Sequence, residues 1–258
     1  MTNMGQTEEG RCSSTSPAPM DMDELDKVVE MAENVATLKE DKDEYKVIAM
    51  NEEEDPEATN SIKHGQAIDV GFQFLIDKME KSPNEYHICT YTPALLVHNF
   101  QSTRLKIPKR VKMMKSSLPN MATKGDIDKV NILFFVLFTS NHWHLLVVNV
   151  KKKRATSYNS IKGSKRYMAE AKRWVTLLDA FFKFYGIMDD PLELICDDQC
   201  PDQPSDSADC ALFVIKFMET ISRKGDIEWR FTQVDMPLIR AQFAAEILTY
   251  ASAKSLTC

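Results

Sequence analysis

The sequence predicts an α+β fold, a small central mixed sheet flanked by helices, and three observations predict it. Two near-continuous apolar runs of strand length, residues 130–139 and 143–150, stand in the middle of the chain. Runs of that kind mark interior strands covered on both faces. Ahead of them, residues 67–80 have helical spacing, with Ile68, Phe72, Leu75, Ile76 and Met79 on one face. After them, Tyr167, Ala171, Trp174, Leu178, Phe181 and Tyr185 recur every three or four residues and define an amphipathic helix ending near Gly186.

The other elements follow in order. Residues 86–91 read as a strand. Thr92 and Pro93 suit an N-cap and first helical position, opening a helix to about Gln101. The polar, basic stretch 102–128 reads as a long connection. Lys151, Lys152 and Lys153 make a polar turn between the second apolar run and a third strand at 155–158. With Arg154 they also resemble a nuclear-import tetrad, although their place at a hairpin favours a solvated turn. Residues 192–196 read as a strand. Residues 210–224 read as a helix whose first half (CALFVIKFM) is apolar almost all round, the mark of a helix buried mid-domain. Asp235 and Pro237 open a last amphipathic helix to about Tyr250.

Composition separates the chain into two parts. Of 258 residues, 43% are hydrophobic, enough for one core of ordinary domain size. Residues 1–60 hold 17 acidic and 5 basic side chains, a net −12, while the remaining 21 acids and 27 bases leave the rest at +6. The domain expectation is therefore an acidic, largely disordered arm over 1–60 and a folded domain over 61–258. Such an arm cannot bury enough apolar surface to offset its ordering entropy. Within it, residues 22–40 read as a short helix.

No run approaches the ~20 apolar residues of a membrane-spanning helix, and the start lacks a secretory pattern. A soluble intracellular protein is expected. The six cysteines are scattered, so no disulfide framework is read, and Cys196 and Cys200 lack a second pair at zinc-binding spacing.

The candidate chemistry centres on Cys210, at a helix start, where the helix dipole and free N–H groups favour a thiolate. A thiol hydrolase also needs an imidazole base held by a third group. His142 opens a central strand and Asn159 closes the next, so antiparallel pairing can join them. His144 lies on the same face as His142, and periodicity does not separate the two.

From about Ile62 to the C-terminus the sequence resembles the SUMO-specific (ubiquitin-like-protein-specific) cysteine proteases, related to the adenovirus protease. The resemblance rests on His142-Trp143 followed by an apolar strand, on Tyr158-Asn159-Ser160, on Pro201-Asp202-Gln203 and on Asp209-Cys210-Ala211-Leu212-Phe213-Val214. Ala67-Ile68-Asp69 matches the family's early helix. The resemblance implies a papain-like fold and a protease that cuts after a terminal Gly-Gly. It implies Cys210 as nucleophile, His142 as base, Asn159 as orienting group, Gln203 as oxyanion donor and Trp143 as wall of a narrow glycine channel. It implies no cofactor, a SUMO-type partner, no nucleic acid, no membrane, a monomer, and a place in the nucleus or cytoplasm.

The sequence departs from the family at four points. Asn159 stands where Asp is usual, Gln203 is seven residues before Cys210 and not six, Ala211 replaces Gly, and no Trp lies near Ile62. Two rival readings stay open: a degenerate relative that binds a ubiquitin-like protein without cutting it, and a protease for NEDD8 or ubiquitin. The island Val47-Ile48-Ala49-Met50, followed by Glu52-Glu53-Glu54-Asp55, resembles a SUMO-interacting motif. Such short patterns are common by chance, and a strand docking on its own domain is the preferred reading.

Overall fold

The computed structural model describes residues 56–102, 105–117 and 123–255. The helix expected over 22–40 and the apolar island at 47–50 lie outside the described residues.

Five strands form one mixed sheet in the order β1-β2-β3-β4-β5. They are β1 (Cys89–Thr92), β2 (Ile132–Thr139), β3 (His142–Asn149), β4 (Arg154–Tyr158) and β5 (Glu193–Cys196). The central pairs β2–β3 and β3–β4 are antiparallel, and the outer pairs β1–β2 and β4–β5 are parallel. The helices are α1 (Pro56–Lys81), α2 (Ala94–Ser102), α3 (Ile107–Ser117), α4 (Lys124–Lys129), α5 (Lys165–Phe184), α6 (Cys210–Ser222) and α7 (Met236–Ser255).

The apolar runs become the two inner strands because both their faces are covered. Ile132, Phe134, Val136, Trp143, Leu145 and Val147 point into a core shared with α1 and α6. Leu133, Phe135, Leu137, Leu146 and Val148 point the other way, into a core shared with α5. The alternation of side chains along a strand divides each run between two cores. None of the described helices is long and apolar enough to cross a membrane.

Three sequence expectations are corrected. Helix α1 starts at Pro56, well ahead of residue 67. Residues 102–128 are not a plain connection but carry α3 and α4. Among the described residues of that stretch, the buried apolar anchors are Val111, Met114 and Ile127, too few to register as a period, yet all three enter the core shared with α5. Helix α2 begins at Ala94, and the acceptor for the Ala94 N–H is the carboxylate of Asp69 on α1, at 2.9 Å, a tertiary cap that the local pair Thr92-Pro93 does not announce.

Two contacts set the frame around the site. Helix α1 crosses α6 closely at Gly71, where a Cβ would stand 2.8 Å from Ile215 Cγ1. Strands β2 and β3 join through Ser140 and Asn141, with φ 52° and 59°. Two successive positive φ angles match the right-handed twist of a two-residue hairpin, and Asn tolerates that region well. This tight turn fixes His142 as the first residue of β3.

Candidate active site

Helix α6 starts at Cys210, and its first residues Cys210, Ala211, Leu212, Phe213 and Val214 are all buried. The thiol is 5% exposed. Backbone N–H groups of Trp143, Ala211 and Cys210 itself face the sulfur. The start of α6 thus abuts the start of β3, next to His142. Burial nevertheless dominates and pushes the Cys210 thiol above its ordinary value, against those three N–H groups, with the Asp209 carboxylate adding to the rise.

His142 is 3% exposed, and its Nε2 lies 2.7 Å from Asn159 Oδ1. Which atom holds the proton follows from the neighbours. Asn159 Nδ2 donates to Ile161 O at 2.6 Å, and Ile161 N–H donates back to Asn159 Oδ1 at 3.1 Å. These two bonds fix the amide with its oxygen toward the imidazole. An amide oxygen only accepts, so Nε2 carries the hydrogen and donates it. Nδ1 of a neutral ring is then left with its lone pair. Burial lowers the His142 pKa below its ordinary value, and the Asn159 bond counters that in part. A raised thiol and a lowered imidazole both favour the uncharged pair at rest.

The structure separates the two histidines that the sequence leaves equivalent. Continuing the β3–β4 register past Leu145↔Tyr158 by one residue would set His144 opposite Asn159. Strand β4 ends at Tyr158, however, and Asn159 turns to His142 instead. His144 is fully buried, with Nε2 3.3 Å from Thr139 Oγ1. Its pKa falls to about 3, mainly through burial and secondarily through His142. It stays neutral.

Gln203 is held at both ends of its amide. Its Oε1 accepts from Ser160 Oγ at 2.8 Å, and Nε2 donates to Ser207 O at 2.9 Å. Its backbone N–H also donates to Ser160 O at 2.7 Å. One Nε2 hydrogen remains for a ligand, since a primary amide has two. Trp143 is 1% exposed and packs against Phe138, the rings tilted by 44° with centroids 4.6 Å apart. In this structure the expected channel wall is covered.

Sequence reasoning missed the supports of the site. Asp209 precedes Cys210 but does not cap α6 with its side chain. Its carboxylate instead forms an ion pair with Arg240 of α7 and accepts from Gln233 Nε2 at 2.7 Å and Ser207 Oγ at 2.9 Å. No local spacing announces contacts that span 24 and 31 residues. By its spacing Tyr167 is one position of an apolar helix face, yet it packs on His142 with centroids 4.9 Å apart. Among the described residues, no cluster of His, Cys, Asp and Glu has the makings of a metal site.

Comparison with known proteins follows the same lines. The Arabidopsis thaliana Ubiquitin-like-specific protease 1A is 30% identical over 132 residues, 48% of this chain, and the chain spans about a quarter (24%) of that relative's length. The C-terminal Ulp1 protease domain solved in complex with Smt3, the yeast ortholog of SUMO, shares the fold with a TM-score of 0.56 at 16% identity. That match covers 90% of this chain and 96% of the other. The Chaetomium thermophilum Ulp1-like SUMO protease catalytic domain matches with a TM-score of 0.52 at 18% identity, over 90% of each chain. Residues 66–254 match the Ulp1 protease family, C-terminal catalytic domain, and since that span includes all five strands and the start of α6, the chain belongs to the Ulp1 protease family.

Proposed function

We propose that this chain is a thiol protease that cleaves after the C-terminal Gly-Gly of SUMO-type ubiquitin-like proteins, in precursors or conjugates. Cys210 is the nucleophile, His142 the base, Asn159 the orienting group and Gln203 an oxyanion donor. The observation that supports this most is the assigned hydrogen on His142: Nε2–H points at Asn159 Oδ1, so Nδ1 is free to take a proton.

The chemistry follows from the resting protonation. Because burial favours a neutral thiol and a neutral imidazole, the proton leaves sulfur for His142 Nδ1 as sulfur attacks the carbonyl carbon. The oxyanion that forms takes hydrogen bonds from the backbone N–H of Cys210 and the remaining N–H of Gln203. Losing one such donor costs about 2.7–4 kcal/mol of barrier. His142 then returns the proton to the leaving amine, and the C–N bond breaks to leave a thioester on Cys210. Water adds to the thioester with His142 as base, releasing the carboxylate and restoring the thiol. Asn159 holds the ring by hydrogen bond alone and contributes no charge to offset the imidazolium. No step needs a cofactor. Cys210 and Trp143 are covered at rest, so an incoming tail must displace that cover. The nucleus or cytoplasm is the proposed setting, a reading that rests on the family resemblance alone.

A probe with an electrophile at a SUMO C-terminus tests the reading. The chain is expected to form a covalent adduct, and Cys210→Ala is expected to form none. The same probe built on NEDD8 and ubiquitin is expected to react more slowly. Labelling that survives Cys210→Ala removes the nucleophile, and preferred labelling by ubiquitin or NEDD8 removes the substrate. The burial of Cys210 favours a second reading, a relative that binds without cutting; its signature is stable SUMO binding with no adduct.

A further inference from the structure

Tyr167, on the first turn of α5, contacts more of the candidate site than any role given so far requires. Its ring lies 4.9 Å from that of His142 and 5.4 Å from that of His144, tilted by about 50° to each. The two imidazoles are parallel to within 2° and 6.4 Å apart. One tyrosine therefore spans both. It is only 9% exposed, and the Cys210 sulfur is close enough to act on its hydroxyl electrostatically. Tyr167 also lines a cavity of about 220 Å³ whose wall includes Asn159, Met168 and the exposed Lys162, Lys165 and Asp198.

Resting on the protease reading above, we propose that Tyr167 is a positioning residue that clamps the face of the His142 imidazole and shields its bond to Asn159 from the adjoining cavity. The geometry explains why a clamp is needed. A single hydrogen bond at Nε2 leaves the ring free to swing about that bond, and Nδ1 would sweep away from the sulfur. A ring packed on its face removes that freedom. An aromatic wall also excludes water, which would compete for Asn159 Oδ1. His144 forms the floor under Tyr167 and remains uncharged, so it adds no repulsion toward an imidazolium at His142.

Among the described residues, the titratable groups packed on His142 are His144 on its own strand and Tyr167 from α5. The Cys210 sulfur of α6 meets the N–H of the neighbouring Trp143, and Arg166 lies beyond, bonded to Ser140 Oγ. Burial is what lowers the His142 pKa, so opening the cavity to the ring should let it rise toward the ordinary value near 6.5.

The test uses Tyr167→Ala, Tyr167→Leu and Tyr167→Phe in the full chain. Leu keeps apolar bulk should Ala unfold, and thermal melts check that each variant is folded. The His142 titration is followed by imidazole NMR in a Cys210→Ala background, which needs no turnover. Ala and Leu are expected to raise the His142 midpoint by about half a unit or more. In the active background, kcat on a SUMO C-terminal fluorogenic substrate should fall roughly 10- to 100-fold, the scale of a misplaced catalytic group, with KM little changed. Phe should restore both readouts. A His142 midpoint that stays put in Ala and Leu overturns the clamp, as does Phe behaving like Ala. Absent turnover in the unmutated chain, with the His142 shift intact, would count against the protease reading and not against the clamp.

Discussion

Replacing Asn159 by Asp puts a charge where the structure has only an amide, and its effect on His142 can be worked from the contacts. Asn159→Asp would place a carboxylate oxygen 2.7 Å from His142 Nε2. An opposite charge at that range raises an imidazole pKa by about 1–3 units, or roughly 1.4–4 kcal/mol in favour of the imidazolium. The cost falls on the other side of the amide. Nδ2 now donates to Ile161 O at 2.6 Å, and a second carboxylate oxygen would face that carbonyl with no hydrogen between them. Losing that bond costs about 1 kcal/mol, more if the repulsion is not relieved. The first effect is the larger, so the His142 midpoint, lowered by burial in the unmutated chain, should rise. With the base more readily charged, the resting pair shifts toward thiolate and imidazolium, and turnover near neutral pH should rise or hold. Imidazole NMR of the full chain against pH, with kcat/KM profiled over the same range, measures both. A His142 midpoint that falls or stays fixed in Asn159→Asp would refute the hydrogen-bond assignment on which the proposed mechanism rests.

Two further outcomes follow from the supports of the site. Arg240→Ala strands the buried carboxylate of Asp209, whose side chain is 7% exposed against 21% for Arg240. Breaking such a pair should cost about 3 kcal/mol and lower Tm by roughly 6–12 °C, with activity falling as the start of α6 loosens. The double variant Asp209→Asn/Arg240→Ala should recover most of the stability in chemical denaturation, and equal stability of single and double variants would contradict the account. Asp69 offers a test by pH. Burial raises its pKa from 3.8 to about 6, opposed by the Ala94 N–H and the Tyr91 hydroxyl. Above pH 6 it is ionised in both folded and unfolded chains, and the fold bears its desolvation. Between about 6 and 4 the folded chain holds a proton that the unfolded one releases, so stability rises as pH falls, by at most about 3 kcal/mol. Urea unfolding at the two ends of that window should show this gain in the wild-type chain and a smaller one in Asp69→Asn; equal gains would clear Asp69.

Much of the fold is legible because its signals are local. Residues 130–139 and 143–150 are apolar on both faces, and such runs have few stable places other than the middle of a sheet. The strand expected at 86–91 and the helix expected at 67–80 differ from the structure in their ends, since ends depend on capping partners. The cap of α2 comes from Asp69, 25 residues away. Helices α3 and α4 stayed hidden because their few buried residues, Val111, Met114 and Ile127, carry too little apolar pattern within 102–128.

Residue order alone establishes which chemical groups are present: an imidazole at a strand start, an amide at the end of the next strand, and a thiol at the head of a buried helix. Periodicity does not choose between His142 and His144, because side chains two apart on a strand share a face and see the same period; only the family resemblance, through His142-Trp143, prefers His142. Tertiary structure supplies the physical difference between the two. The chain leaves the β3–β4 ladder after Tyr158, so the Asn159 amide, oriented by Ile161, reaches His142, while His144 is enclosed with Thr139 in a medium that keeps it neutral. Hydrogen-bond direction and burial are properties of the assembled core, and no spacing along the chain encodes them.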